Sequence, residues 1–360
     1  MNYIGSKYSL LPFLEKGILE FAGSGTERTL FDIFAGTGVV GQHFKRLGFH
    51  VVANDIQYYS YCLNRAYVGI NSQPEFAGIV DNLPQPAGLL LYDNIDTVLG
   101  YLNGLEGVEG LVYGNYCPGG TAGTKYPRQY FTDENGRRCD AIRLQLGQWR
   151  ADDLISHDEY FFLLATLIEA IDKVANTASV YGAFLKHIKR SARKPLELER
   201  FEIVPSCKQH EVYNCDGSSL VDKVCCDILY IDPPYNQRQY CTNYHVLETI
   251  ARYDSPELYG VTGLREYDDQ KSDFCYKAKV LGAFEDLIRR TQARYIFLSY
   301  NSEGLMPEDK VVTAMQRYGL VKVERQEYRR FRADVDRENR KYKRDDVVEY
   351  LFCLEKTHPG

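Results

Sequence analysis

Asp232, Pro233, Pro234 and Tyr235 stand together in the stretch from Asp227 to Asn236, DILYIDPPYN. A carboxylate, a stiffly held carbonyl and an aromatic ring in that order suit a planar amine carried on an aromatic ring. The nitrogen of such an amine is a poor nucleophile, because its lone pair is delocalised. Asp232 and the Pro233 carbonyl can accept its two N–H groups and draw it toward a nucleophilic geometry. The Pro-Pro pair fixes both acceptors beforehand. Tyr235 can stack on the ring. The plain alternative is an ordinary exit from a strand into a turn.

A second set of residues could hold a cofactor. TLFDIFAGTGVVG at 29–41 reads as a strand, Leu30 to Phe34, a loop with Gly36 and Gly38, and a helix from Val39 to Leu47. Strand, glycine loop and helix open a nucleotide-binding α/β unit, and the glycines let backbone come close to a ligand. The loop lacks the third glycine of a dinucleotide fingerprint and the Lys-Ser/Thr of a P-loop. A second strand, Phe49 to Ala53, ends in Asn54-Asp55. An acid about 20 positions beyond the glycine loop is suited to accept from ribose hydroxyls; the alternative for Asp55 is the N-cap of a helix from Tyr58 to Tyr67. Asp216-Gly217 follows a short strand pattern from Glu211 to Cys215, either as a third ligand-facing acid or as a turn. The N-terminal MNYIGSKY reads as a small-residue loop feeding a helix.

The elements that must position these groups follow from pattern. Ile228 to Ile231 has strand length and composition, and two prolines cannot continue a ladder, so the strand stops at Asp232. Ligands bind at such carboxyl ends in open α/β sheets. Arg294 to Tyr300 is a further strand, and the chain from 321 to 356 reads as two long strands around a charged loop. Residues 158–185 carry a helical pattern. A basic run follows it, with Lys186, Lys189, Arg190, Arg193, Lys194 and Arg200, either a solvated face or a phosphate-contact surface. The expected fold is α/β, a doubly wound, mostly parallel sheet. Its expected divisions are 1–67, a cofactor-binding half; 68–205, an insert; and 206–360, a catalytic half with a basic hairpin.

Composition narrows the class. The chain has 360 residues, 44% hydrophobic and 26% charged, with net charge −6. That balance is normal for a soluble globular protein and argues against one that coats nucleic acid, while leaving room for a local basic face. The 29 tyrosines suit stacking on flat ligands as well as ordinary packing. Ten cysteines are scattered with no C-x-x-C, which points to a reducing cytoplasm and away from a zinc site. His245 has no nearby cysteine or histidine in sequence, so no metal is expected. No apolar run reaches the roughly 18 residues of a membrane helix.

In combination these elements resemble the Dam-like family of N6-adenine DNA methyltransferases. N-Y-I-G-S-K-Y at 2–8 is similar to the family's aromatic-x-Gly-Gly-Lys element, with Tyr3 at the aromatic position, Ser6 at the second glycine and Lys7 at the lysine. D-I-F-A-G-T-G at 32–38 resembles its S-adenosylmethionine loop, Asp55 its ribose acid and Asp216 the acid near the cofactor's adenine. D-P-P-Y is the catalytic motif in its adenine form; serine in place of Asp232 would suggest cytosine N4. Gly217 departs from relatives with Phe after the adenine-site acid.

The resemblance implies S-adenosyl-L-methionine held by Tyr3, Lys7, Phe34, Gly36, Gly38, Asp55, Asp216 and Asp232. It implies methyl transfer at Asp232, Pro233, Pro234 and Tyr235 to an adenine flipped out of double-stranded DNA. It also implies a target-recognition role for the insert, since 194 positions separate Gly38 from Asp232. Arg128, Lys189, Arg190, Arg238, Tyr240, Arg329, Arg330 and Arg332 are the candidate DNA contacts. Within the segment 114–150, Tyr116, Lys125, Gln129 and Tyr130 are further candidates for reading bases. A restriction-modification setting in the cytoplasm, bacterial or phage-encoded, would supply a cognate endonuclease as partner, with no membrane involved. Two other classes stay open: a methyltransferase acting on RNA or a protein amide, and a non-catalytic DNA-recognition subunit.

Overall fold

The apolar runs singled out by pattern become strands of one sheet. In the computed structural model, residues 5–84, 93–329 and 346–357 are described, apart from the side chains of Tyr328, Arg329 and Asp346. β1 (Thr29–Asp32), β2 (His50–Asn54), β3 (Glu211–Tyr213), β4 (Ile228–Ile231) and β5 (Tyr295–Asn301) are parallel neighbours. β6 (Gly319–Arg329) and β7 (Asp346–Lys356) form the expected antiparallel hairpin. The order is β3-β2-β1-β4-β5-β7-β6, with β7 antiparallel to β5 as well. β4 is buried at all four positions because it lies between β1 and β5, and this is why its sequence is a continuous apolar run.

The chain divides into two compact units. The sheet-bearing unit comprises Ser6–Ile56, Lys208–Tyr240 and the chain from Gln270 onward. It contains α1 (Leu11–Ala22), α2 (Val39–Arg46), α10 (Val280–Arg290) and α11 (Glu308–Gln316). Phe31, Val52, Leu229, Ile231, Phe284, Leu287, Ile296 and Leu298 are buried in one core cluster. Burying each such side chain contributes about 1.5–3 kcal/mol, which holds the strand ends in register.

The helical unit comprises Gln57–Cys207 together with Cys241–Asp269. It carries α3 (Tyr58–Asn64), α4 (Asn94–Asn103), α5 (Leu111–Tyr116), α6 (Pro118–Thr121), α7 (Asp133–Ala151), α8 (His157–Lys173) and all but the first residue of α9 (Tyr240–Arg252). The helix after D-P-P-Y thus groups with the insert, a boundary that linear order does not suggest. Two buried charges on α7 explain the grouping. Arg143 donates to the carbonyls of Ile250 (3.1 Å) and Ala251 (2.9 Å), at the end of α9. Asp140 accepts from the amides of Gly110, Val112 and Tyr113, which open α5, and from the Tyr253 hydroxyl.

The helix expected over 158–185 ends at Lys173. Ser156 and Glu159 form a capping box at the start of α8. At the far end Asn176 competes with helix: its Nδ2 donates to the carbonyls of Gln129 and Leu185, both at 3.0 Å, and its Oδ1 accepts from the Lys189 amide.

Candidate active site

Asp232 leaves β4 where the two prolines end the strand, and it meets a residue from the far end of the chain. Lys7, in the loop before α1, is 4% exposed and its Nζ lies 3.2 Å from Asp232 Oδ1, whose side chain is 16% exposed. Lys7 also donates to the Tyr235 hydroxyl, and that hydroxyl donates to Asp232 Oδ1. The three side chains close a triangle. Lys7 Nζ is 4.6 Å from the centre of the Tyr235 ring, and Tyr300 meets that ring edge-on at 5.2 Å. The Leu305 amide holds the Tyr235 carbonyl at 3.2 Å. Burial pushes the Asp232 carboxyl up to about 6; Lys7 pulls it down and Glu349 on β7 pushes it further up.

The glycine loop is built from the same strand ends. The Ile33 amide donates to the Tyr230 carbonyl on β4, and the Ala35 amide to the Asn54 carbonyl on β2. Gly36 (φ 51°) and Gly38 (φ 80°) both take the left-handed conformation that the turn into α2 requires. Asp55 is not a helix cap, since Gln57 occupies that place at α3. Its Oδ2 accepts from the Gly36 amide at 2.8 Å, tying the end of β2 to the loop. Asp216 is exposed and caps the short turn Gly217–Ser219, accepting from the Ser218 amide. Gly217 is required by close approach: a Cβ there would lie 2.8 Å from Ile33 Cγ1. Phe34 packs edge-on against Phe274 at 5.0 Å.

Two residues at this edge carry more than the sequence reading assigned them. Asn54 is buried and bonds three strand exits together: Nδ2 donates to the carbonyls of Ile33 and Cys215, and Oδ1 accepts from the Cys215 amide. Its place directly before Asp55 was the available signal. Asp32, the last residue of β1, is buried, and its Oδ1 has no hydrogen-bond partner. Burial, with the nearby carboxylates of Asp232 and Asp55, pushes it well above the ordinary carboxylate range. A carboxylate so placed favours a cationic ligand. Acids at four strand ends beside a left-handed glycine loop fit a nucleoside that carries positive charge.

The candidate DNA contacts separate into distinct groups. Arg128 is 8% exposed, and its guanidinium donates to the carbonyls of Val261 (3.1 Å), Asn115 (3.1 Å) and Gly260 (3.0 Å). This is a clamp on the 260–261 turn, and the expectation of an outward-facing contact is corrected. Tyr116 and Tyr130 are likewise fully buried, and Gln129 donates to the Leu185 carbonyl. Lys125 remains exposed beside the Tyr126 ring. Lys189 donates its ammonium to the Thr177 carbonyl at 2.7 Å, whereas Arg190 and Lys186 are exposed. Arg238 is exposed in the loop before α9, Tyr240 is half-buried at its first position, and Gln239 pins the loop through two bonds to Ser272. Arg329 ends β6, paired with Asp346 of β7. Tyr3, Arg330 and Arg332 lie outside the described residues.

The profile of the D12 class N6 adenine-specific DNA methyltransferase family matches residues 3–314. The chain is 48% identical over 358 residues to the type II methyltransferase M.NlaIII of Neisseria lactamica, covering 99% of this chain and 100% of that one. It is 38% identical over 360 residues to the type II methyltransferase M.FokI of Planomicrobium okeanokoites, covering 99% of this chain and 53% of the relative. Over another 360 residues it is 32% identical to the type II methyltransferase M.CviAII of Paramecium bursaria Chlorella virus 1, covering 98% of each. No solved structure matches.

Proposed function

The chain belongs to the D12 class of N6 adenine-specific DNA methyltransferases, and from that premise we propose how its residues divide the work. S-adenosyl-L-methionine is the donor, supplying a methyl carbon activated by an adjacent sulfonium. Asp55 accepts from the ribose, Asp216 from the cofactor's adenine, and Gly36 and Gly38 let the backbone approach it. Asp32 faces the cofactor's cationic end.

The target adenine leaves the duplex. Asp232 and the Pro233 carbonyl accept its N6 hydrogens, and Tyr235 stacks on it with the ring face that Lys7 does not cover. Bound there, the cofactor would supply the methyl carbon: N6 would bond to it as the C–S bond breaks with its electron pair left on sulfur, and N6 would shed one proton to Asp232 or solvent. Lys7, expected among the cofactor contacts, also serves the acceptor. The Lys7–Tyr235–Asp232 triangle at the carboxyl end of β4 carries this reading.

The helical unit reads the target sequence, using outward groups such as Lys125 and Tyr126, while Arg190, Arg238 and the 329–332 stretch contact phosphates. M.NlaIII and M.FokI are type II methyltransferases by name, which supports a restriction-modification setting with a cognate endonuclease. All ten cysteines are unpaired, which supports a cytoplasmic one.

The test is transfer of tritiated methyl from S-adenosylmethionine to DNA, RNA and protein, with Asp232→Ala as control. Label on DNA alone, lost by at least about 10²-fold in the variant, is expected. Label on RNA or protein, or turnover within about tenfold of wild type, defeats the assignment.

A further inference from the structure

Lys7 is the cation hydrogen-bonded at the acceptor, and its charge also acts on a second carboxylate. The second is Glu349. It sits on β7 directly opposite Asn301 of β5. β5 in turn pairs with β4, with Leu298 opposite Ile231, the residue before Asp232. The residue is 8% exposed, and its Oε2 is buried without a hydrogen-bond partner. Asn301 bonds the carboxylate, and Lys7 is the positive charge acting on it. A buried carboxylate oxygen left unsatisfied is costly and rare. Here a lysine with three donors is within its field but bonded elsewhere.

The triangle as it stands weakens Asp232 as an acceptor for an amine. Oδ1 of Asp232 already receives the Tyr235 hydroxyl and the Lys7 ammonium, which fills both of its lone pairs. An incoming N6 hydrogen must displace one donor from Oδ1, or else bond Oδ2 of a carboxylate whose electron density is drawn off by an adjacent full positive charge.

We propose that Glu349 is a positioning residue for methyl transfer: it is the second acceptor for Lys7, onto which the lysine shifts when the adenine amine engages Asp232. The shift leaves Lys7 paired throughout, satisfies the orphaned Oε2, and returns acceptor strength to Asp232 when the base needs it. Glu349 touches neither base nor cofactor and acts only through Lys7. The proposal rests on Asp232 being the amine acceptor.

The experiment compares wild type with Glu349→Gln, Glu349→Asp, Lys7→Met and the Lys7→Met/Glu349→Gln double variant. It reads single-turnover methylation rate, KM for DNA and for S-adenosylmethionine, and the pH profile of the rate. Glu349→Gln keeps size and the bond to Asn301 while removing the charge. It is expected to lower the rate roughly ten- to a hundredfold with both KM values unchanged. The acid limb of the profile should move to lower pH, because Asp232 loses a repelling neighbour and keeps the lysine to itself.

Glu349→Asp should recover part of the rate. In the Lys7→Met background, Glu349→Gln should change the rate less than about twofold, since coupled residues are not additive. The same loss with and without Lys7 overturns the proposal, because a merely structural glutamate would behave so; an unmoved acid limb overturns it too, because Glu349 would then not act on the charge at Asp232. An active Asp232→Ala protein would instead defeat the underlying reading, and so the two failures are distinguishable.

Discussion

Replacing Asp232 by asparagine should make the protein more stable and almost inactive. The carboxyl moves from an ordinary 3.8 to about 6 on folding, chiefly through burial. At about 1.36 kcal/mol per pH unit, the folded state therefore carries this charge at a cost on the order of 3 kcal/mol. The sign follows from proton binding. The folded protein holds the proton more tightly than the unfolded chain, so stability rises as pH falls from above 6 toward 4. At pH 8 the cost is fully present, and Asp232→Asn removes it. The amide oxygen can still accept from the Tyr235 hydroxyl, but Lys7 loses an ionic partner. That pairing already enters the value of about 6, so about 3 kcal/mol is the upper bound of the gain at pH 8. Methyl transfer should fall about 10²–10³-fold, because one acceptor that acts in the transition state becomes neutral. Denaturant unfolding at pH 8 and at pH 4.5, beside a tritium transfer assay, reads both quantities. The variant should exceed wild type in stability at pH 8, and the gap should shrink at pH 4.5. A variant less stable than wild type at pH 8, or a gap independent of pH, would refute the burial argument. In the wild type the rate should decline as pH drops through about 6, as Asp232 protonates.

Asp55→Ala removes both the Gly36 bond and the ribose acceptor, so cofactor affinity should drop by about 1–3 kcal/mol with little change in rate at saturation. Calorimetry showing unchanged affinity would take Asp55 out of the site. Arg128→Ala should lower unfolding stability by about 1–3 kcal/mol and leave the methylated sequence unchanged, because the side chain holds the 260–261 turn. A changed methylome with unchanged stability would overturn that role. The Lys186→Ala and Arg190→Ala changes should weaken binding to all DNA sequences alike, with a salt slope reduced by about 0.9 for each phosphate left unneutralised. An unchanged slope would mark the two as a merely solvated face.

The sheet was legible because its signals are local. Ile228 to Ile231 ends at prolines, 29–38 places glycines directly after a strand, and the 319–356 hairpin shows two long runs. Bonding among strand ends was not, since it joins distant positions. No pattern around Lys7 indicates that its ammonium meets Asp232, and Glu349 looks like any outward acid on an alternating strand. Arg128 misled for a related reason. An arginine among tyrosines and glycines reads as a surface for bases, but here the tyrosines fill a core and the guanidinium satisfies carbonyls of a turn more than 130 residues away. Residue type gives the chemistry a side chain can do, while burial decides where it is done. The end of α8 was missed because a single asparagine side chain outcompeted an apolar helical pattern.

The third strand of the sheet, β1, imposes a delay on the newborn chain. β1 has β2 as one neighbour and β4 as the other, and the bond from the Thr29 amide to Asp227 spans 198 residues. At a synthesis rate of about 5–20 residues per second, one flank of β1 stays bare for roughly 10–40 s after it emerges from the ribosome. Its Leu30 and Phe31 are then an exposed apolar edge, open to mispairing and to chaperones. The Ile33 amide, which opens the glycine loop, must also wait for Tyr230. The nascent chain therefore gains a complete glycine loop only after the whole helical segment of 57–207 has been translated.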